Sequence, residues 1–530
     1  MIAESGNSSG SAPDTVVSFG GGGLNLLLAR IVRRPVTVAA LSVLFVGVLT
    51  APGHAAPDPS NLDRFYGQTL EWKPCGIASM DAVGGECADV LVPLDYAKPG
   101  DRTMTVAISR VPATDPERRR GVLVSNPGGP GGAGLNSLDL LGDVLSPEVL
   151  AGYDLIGMDP RGVGDSDAAK RCGWPVGEMI RSAGVDLLGF VHDTMLSAGM
   201  AASCLIGGDQ DKLRQLTTRN TARDLDVVRS ALGEQRISYF GVSYGTYLGA
   251  VFTQMFPERS DRIVLDSSID PDRYWSGMVR DWGRADEIAL DDWSNWAATQ
   301  DDTYRLGDTP EQVRTTIVRL LDSAAARPIV IDGFPIDDHW LPFILHNMLS
   351  NYRLDEALAA TVREIADAAN GVPVTAREPR LQSVLQALRV ENSVEAHIAC
   401  GDSAAPTDPV RYWNDIEGTR ATQPVFGALA NNIQPCAFWP RPVEPQTVVR
   451  NAVPALVLQA TGDPRTPYDH GVALHRDLTA SRLVTLRDVR IHMTFRPDLS
   501  ACVNDTINTY YREGTLPEAD LTCTADQASE

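Results

Sequence analysis

Basic charge is what this 530-residue chain has least of. Its formal net charge is −22, and its lysines are limited to Lys73, Lys98, Lys170 and Lys212. A surface of that sign repels phosphate backbones and anionic headgroups, which argues against nucleic acid or an anionic membrane as a partner. Long apolar runs are missing too. The run from Val36 to Thr50 is short for a bilayer-spanning helix, which takes about 20 residues. No C-x-x-C spacing occurs, so the common zinc-ligand pattern is lacking, and neither a metal nor a cofactor is expected. Repeats and low-complexity tracts are absent apart from Gly20–Gly23.

What is present describes an exported globular protein. A hydrophobic content of 43% against 22% charged residues supports a large core, and the length suits one catalytic domain carrying an insertion. Arg30, Arg33 and Arg34 precede the Val36–Thr50 run, and small residues follow around Gly53-His54-Ala55-Ala56. That order is the charged, apolar and cleavage regions of a secretory signal, placed at residues 1–55. A secreted or envelope-associated protein is expected, in contact with a membrane only if the signal stays uncleaved. All eight cysteines follow this segment, and an even number in an oxidising compartment reads as four disulfides. Nearest-neighbour pairing is expected: Cys75–Cys87, Cys172–Cys204, Cys400–Cys436 and Cys502–Cys523.

Strand signals recur along the mature chain with helical patterns between them. Ala88–Leu94 and Met104–Ile108 read as an opening pair. Gly121–Ser125, Tyr153–Met158, Arg236–Phe240, Arg262–Leu265, Ala455–Leu458 and Arg482–Leu486 follow. From the third on they are short apolar runs, as in a parallel sheet covered on both faces. An eight-stranded, mostly parallel α/β sheet is expected. Between the sixth and seventh strands the chain has helical patterns at 311–325, 354–369 and 381–388 but no strand series. The expected organisation is therefore a core in two parts, 56–271 and 454–530, with a helical cap over 272–453.

The chemistry is concentrated in Gly241-Val242-Ser243-Tyr244-Gly245, directly after a strand signal. G-x-S-x-G between strand and helix is the nucleophile elbow of α/β-hydrolases, where a sharp turn lifts the serine oxygen above the sheet. The partners follow in the order Ser…Asp/Glu…His. Asp463 lies in the loop after Ala455–Ala460, and Asp266, after the sixth strand, is the rival acid. Of the eight histidines, only His470, His475 and His492 come after Asp463. The first two fall on a helix outside the sheet, which leaves His492, past the last strand, as the base. Asn126-Pro127-Gly128-Gly129-Pro130-Gly131 follows the third strand and supplies the second oxyanion donor. The backbone N–H groups of Gly129 and Tyr244 are the expected pair. Asp159-Pro160-Arg161-Gly162 ends the fourth strand and reads as a turn braced by an Asp159–Arg161 ion pair.

Taken together, Asn-Pro-Gly-Gly-Pro-Gly, Asp-Pro-Arg-Gly-x-Gly-x-Ser, Gly-Val-Ser-Tyr-Gly-Thr-Tyr-Leu-Gly, Val-Leu-Asp-x-x-x-Asp-Pro and Asp-x-x-Thr-Pro resemble the secreted tripeptidyl aminopeptidases of actinobacteria. These are proline iminopeptidase-like serine peptidases. The resemblance spans roughly residues 70 to 525 and implies an α/β-hydrolase fold with a helical cap. It also implies release of short peptides, typically tripeptides, from free N-termini, with Ser243 as nucleophile, Asp463 as orienting acid and His492 as base. Where the family usually has Gly-His-Gly, this chain has Ile491-His492-Met493, whose bulk is expected to shift the imidazole or to narrow the leaving-group side. An exopeptidase must hold the substrate's ammonium, and Glu391, Glu395 and Asp402 in the cap are the candidate carboxylates. A secreted esterase on the same triad and a non-catalytic hydrolase-like binding protein are the alternative readings.

Overall fold

The computed structural model describes residues 62–526 except 176–178, 207 and 374–376. The expected signal segment lies outside the described residues. Ten strands form the main sheet: β1 (Lys73–Pro74), β2 (Glu86–Pro93), β3 (Thr103–Val111), β4 (Gly121–Asn126), β5 (Tyr153–Met158), β6 (Ile237–Val242), β7 (Ser260–Asp266), β10 (Ala455–Ala460), β11 (Arg482–Arg487) and β12 (Leu521–Thr524). A separate pair, β8 (Ile329–Ile331) and β9 (Phe334–Ile336), lies in the insertion.

The sheet order is β1-β2-β3-β5-β4-β6-β7-β10-β11-β12. The first four strands in that order pair antiparallel, and the rest run parallel. Every residue of β4, β5, β6 and β10 is buried, because helices cover both faces there. At the edge, β2 alternates buried and exposed positions over part of its length. Two strands exceed the eight expected from the sequence. β1 is two residues long and β12 four, too short to give a periodic signal.

The chain leaves β4 for β5 on one side and returns to β6 on the other, so the strand order reverses between β4 and β6. Open α/β sheets bind ligands at such a switch point, beyond the carboxyl ends of the strands. The glycine loop after β4 and the serine after β6 both lie there.

Between β7 and β10 the described chain is mostly helical, with long helices at Ser276–Ala298, Pro310–Ala326, Trp340–Leu349 and Asp355–Ala369. Rather than a strand series, the described part of this segment holds one hairpin, β8 paired antiparallel with β9. Their turn is Asp332-Gly333, at φ 49° and 72°. Asp-Gly between two short apolar runs is a strong hairpin signal, and it was readable in the sequence. A second segment joins this layer: helix Leu187–Leu205 sends Ser197 Oγ to the Ile433 carbonyl at 3.0 Å. All four disulfides follow the nearest-neighbour pairing.

One scaffold assignment changes. Arg161, fully buried, pairs through Nε and Nη2 with Asp224 at 2.7 and 2.6 Å. Asp159 instead accepts from the backbone N–H groups of Gly134, Leu135 and Asp165 at 2.6, 3.1 and 2.9 Å. Three amide donors satisfy one buried carboxylate, so the glycine loop is tied to the end of β5 without the arginine.

Candidate active site

Ser243 has φ 57° and ψ −121°, a conformation an L-residue holds only where its surroundings enforce it. The enforcement is visible on either side. A Cβ on Gly241 would lie 2.4 Å from the Gly245 carbonyl oxygen, and one on Gly245 would lie 2.6 Å from that of Asn126. Only glycine allows strand and helix to approach so closely. Ser243 N–H donates to the Asp266 carbonyl at 3.0 Å, which pins the elbow to β7. Tyr244 opens the helix Tyr244–Met255, so its N–H belongs to the unbonded first turn.

The glycine loop reaches the same point. A Cβ on Gly128 would sit 2.6 Å from Val242 O, 3.0 Å from Ser243 Cβ and 3.4 Å from Tyr244 N. Gly128 N–H donates to Asn126 Oδ1 at 3.1 Å, and Gly132 N–H to the Gly128 carbonyl at 3.2 Å. Gly129, next along, has φ 114°, a value open to glycine and costly for other residues.

Asp463 is buried, and donors surround its carboxylate. Arg465 N–H and Thr466 N–H donate to Oδ1 at 2.8 and 3.1 Å, and Thr466 Oγ1 to Oδ2 at 2.8 Å. His492 Nδ1 lies 2.8 Å from Oδ2. With its proton on Nδ1 facing a carboxylate, the imidazole keeps a lone pair on Nε2, the atom a base uses. The other two histidines are engaged elsewhere: His470 Nε2 is 2.9 Å from Asp281, and His475 Nδ1 is 2.7 Å from Ser481 Oγ.

The rival acid, Asp266, has a different task. Its carboxylate accepts from Thr494 N–H, Thr494 Oγ1 and Phe495 N–H at 2.8 to 3.0 Å. Complete burial raises its pKa, and these donors oppose the rise. Asp266 thus anchors the loop that carries the base, beside Met493 N–H donating to Ser267 Oγ at 2.7 Å.

The bulk flanking His492 does not go where the sequence suggested. Ile491 is fully buried in the core cluster with Leu458, Leu486 and Phe495, and Met493 packs against that cluster. The cost appears in the backbone, because Met493 has φ 74°, in the left-handed region that favours glycine.

Of the three cap residues, one has its backbone beside the glycine loop. A Cβ on Gly131 would lie 3.0 Å from Val394 Cγ1 and 3.4 Å from Glu395 N, so Glu395 adjoins the glycine loop. Burial pushes its carboxyl up to about 7 against the pull of Arg465. Glu391 is turned away, accepting from Cys172 N–H at 3.0 Å and from Ser393. Asp402 is buried, accepting from Thr218 N–H at 2.7 Å and Thr218 Oγ1 at 2.6 Å, and Thr218 Oγ1 lies 2.6 Å from Tyr244 OH. Both carboxylates are thus engaged by donors outside the glycine loop. The sequence could not separate the three, since all lie within twelve residues of one another in the same helical stretch.

Comparison with known proteins agrees with this architecture. A family described as "alpha/beta hydrolase fold" matches residues 121–319, and one described as "TAP-like protein" matches 423–523. A tripeptidyl aminopeptidase of Streptomyces lividans is 33% identical over 86% of each chain. Serine protease Hip1 of Mycobacterium tuberculosis is 28% identical over 94% of this chain and 98% of its own. Carboxylesterase B of the same organism is 29% identical over 93% of this chain and 98% of its own.

Proposed function

The chain belongs to the tripeptidyl aminopeptidase family of α/β-hydrolases, and on that premise we propose an exported serine exopeptidase that releases short peptides, tripeptides above all, from free N-termini. The observation that carries the reading is the Asp463–His492 pair at 2.8 Å, with the base loop anchored on the carboxylate of Asp266, the same residue whose carbonyl accepts from Ser243 N–H.

In this reading Ser243 Oγ attacks the scissile carbonyl while His492 Nε2 takes its proton. Asp463 orients the imidazole and stabilises the imidazolium. The N–H groups of Gly129 and Tyr244 hold the oxyanion as charge develops. His492 then protonates the leaving amine, and water hydrolyses the acyl-enzyme by the same route. None of these steps calls on a cofactor. The segment 272–453 acts as the cap, and Glu395 beside the glycine loop takes the substrate ammonium. Four disulfides suit an oxidising compartment outside the cytoplasm.

The test is covalent labelling by a fluorophosphonate, expected in the wild type and lost in Ser243→Ala. Unchanged labelling or peptide turnover in that variant would overturn the assignment. The likeness to a protein named carboxylesterase supports a second reading, an esterase on the same triad. Rates on tripeptidyl amides against short acyl esters separate the two, and a strong ester preference would favour the second.

A further inference from the structure

The loops carrying the acid and the base are both gripped by one helix of the insertion, Trp340–Leu349, and by the turn that follows it. On the base side, His492 N–H donates to the Ser350 carbonyl at 2.8 Å, and Tyr352 N–H to the Arg490 carbonyl at 2.9 Å. Asn351 and Ile491 form the antiparallel bridge between these bonds. Two residues before the base, buried Arg490 reaches into the insertion with its whole guanidinium. It donates to the Leu349 carbonyl and to Asp292 Oδ2, each at 2.7 Å, and pairs with Asp355.

The acid side repeats the arrangement. Two residues after the acid, Arg465 donates to Asn347 Oδ1 at 2.9 Å and to His346 Nε2. His346, fully buried, is held from behind by Asp286, with Nδ1 to Oδ2 at 2.7 Å. The Arg465 carbonyl also accepts from Trp282 Nε1 at 2.6 Å, on helix Ser276–Ala298. This helix and the turn after it thus reach both loops, the base loop through two backbone bonds and the Arg490–Leu349 bond and the acid loop through the side-chain bonds of Arg465, while Asp292 and Asp355 hold Arg490 from the helices on either side.

We propose that this helix is a splint for the acid–base pair, with Arg490 and Arg465 as positioning residues acting through His492 and Asp463. The inference rests on the triad reading above. The core holds the base loop from one side through Asp266 and Ser267, and the splint holds it from the other. Lifting the helix would break the backbone bond at His492 itself. The pair is therefore in register only while this helix is seated, and the lid helix takes part in activating the serine as well as covering the substrate.

A small fluorophosphonate tests this, because its reaction with Ser243 needs the acid–base pair and makes little use of the cap. Arg490→Met, checked for folding by thermal denaturation, is expected to be labelled about 100-fold more slowly, the penalty for a displacement near 1 Å. Arg490→Lys and Asn347→Ala are expected to fall between it and wild type. On a tripeptidyl amide the loss is expected in kcat, with KM little changed. Wild-type labelling rates in folded Arg490→Met, with only KM raised, would overturn the splint and leave the arginines as lid fasteners. If that variant does not fold, wild-type rates in both Arg490→Lys and Asn347→Ala overturn it equally. A wild-type protein that is not labelled at all would instead remove the triad, and the splint with it.

Discussion

Met493 is a non-glycine residue at φ 74°, one position after the proposed base. Such a conformation costs on the order of 1–3 kcal/mol, recovered here by packing and by the bond to Ser267. A β-branched residue suffers more at that φ than an unbranched one. Met493→Val is therefore expected to lose roughly 1–3 kcal/mol in denaturant melts, whereas Met493→Gly stays near wild type, relieved strain offsetting lost packing and greater chain entropy. Equal stability of the two variants would contradict the strain. Glu395 makes a separate prediction. Its carboxyl titrates at about 7, above its ordinary value, so it is neutral in mild acid and charged above neutrality. A clamp for an ammonium needs the charged form, so KM for free-amine peptides should fall as pH rises through about 7. The fall ends near pH 8, where the substrate's α-amino group loses its own proton. Glu395→Gln should raise KM and flatten that profile, while N-acetylated peptides remain poor substrates throughout. Equal cleavage of blocked and free peptides would remove the clamp. For stability the sign is the reverse: a raised carboxyl favours folding most at low pH and loses that contribution as pH climbs to about 7.

At the scale of elements, the base is carried by a loop with no regular structure of its own, and β7 supplies its order. Three donors from Thr494 and Phe495 converge on Asp266, which is buried at the end of that strand. Asparagine in its place keeps one acceptor oxygen and turns an N–H₂ toward groups that are themselves donors. Leaving such groups unsatisfied costs about 1–3 kcal/mol each. Asp266→Asn is expected to lower stability by that order and to slow fluorophosphonate labelling, although Asp266 does not touch the imidazole. Unchanged labelling in a destabilised variant would restrict Asp266 to folding. Thr466 makes the matching contribution on the acid loop, its hydroxyl held 2.8 Å from Asp463 Oδ2. The hairpin β8–β9 and the helices around it belong to the insertion between β7 and β10.

For the whole molecule, one of the four disulfides ties two parts of the inserted segment. Cys400–Cys436 closes 36 residues between the helix carrying Glu395 and the segment before β10. Chain-entropy arguments put a cross-link of that length near 4 kcal/mol. Replacing both cysteines by serine is expected to move the urea midpoint down accordingly and to raise KM more than it lowers kcat, since the bond supports the clamp and lies away from the acid–base pair. A kcat loss with KM unchanged would mean that the tie acts on the pair instead. The net charge of −22 is a property of the whole chain. It bears on solubility and on which partners are repelled.

The sequence by itself determined whatever depends on neighbours in the chain. Apolar runs a few residues long specify buried strands, and a serine between glycines after one of them specifies the elbow. Asp463 was legible because it follows β10, and His492 because only three histidines come after it. The Asp332-Gly333 hairpin was legible as well, hidden only by the helical patterns around it. Tertiary structure decided what depends on residues distant in sequence. Asp463 and Asp266 both follow parallel strands, and only the fold points one at the imidazole and the other at the loop backbone. Glu391, Glu395 and Asp402 look alike in one dimension. They part company because Cys172 and Thr218, some 180 to 220 residues earlier, take two of the three. Arg490 and Arg465 carried no signal at all, since an arginine's role lies in its acceptors, and theirs lie on helices of the insertion more than 100 residues away. Local periodicity encodes elements, whereas the pairing of buried charges is chosen only when those elements meet.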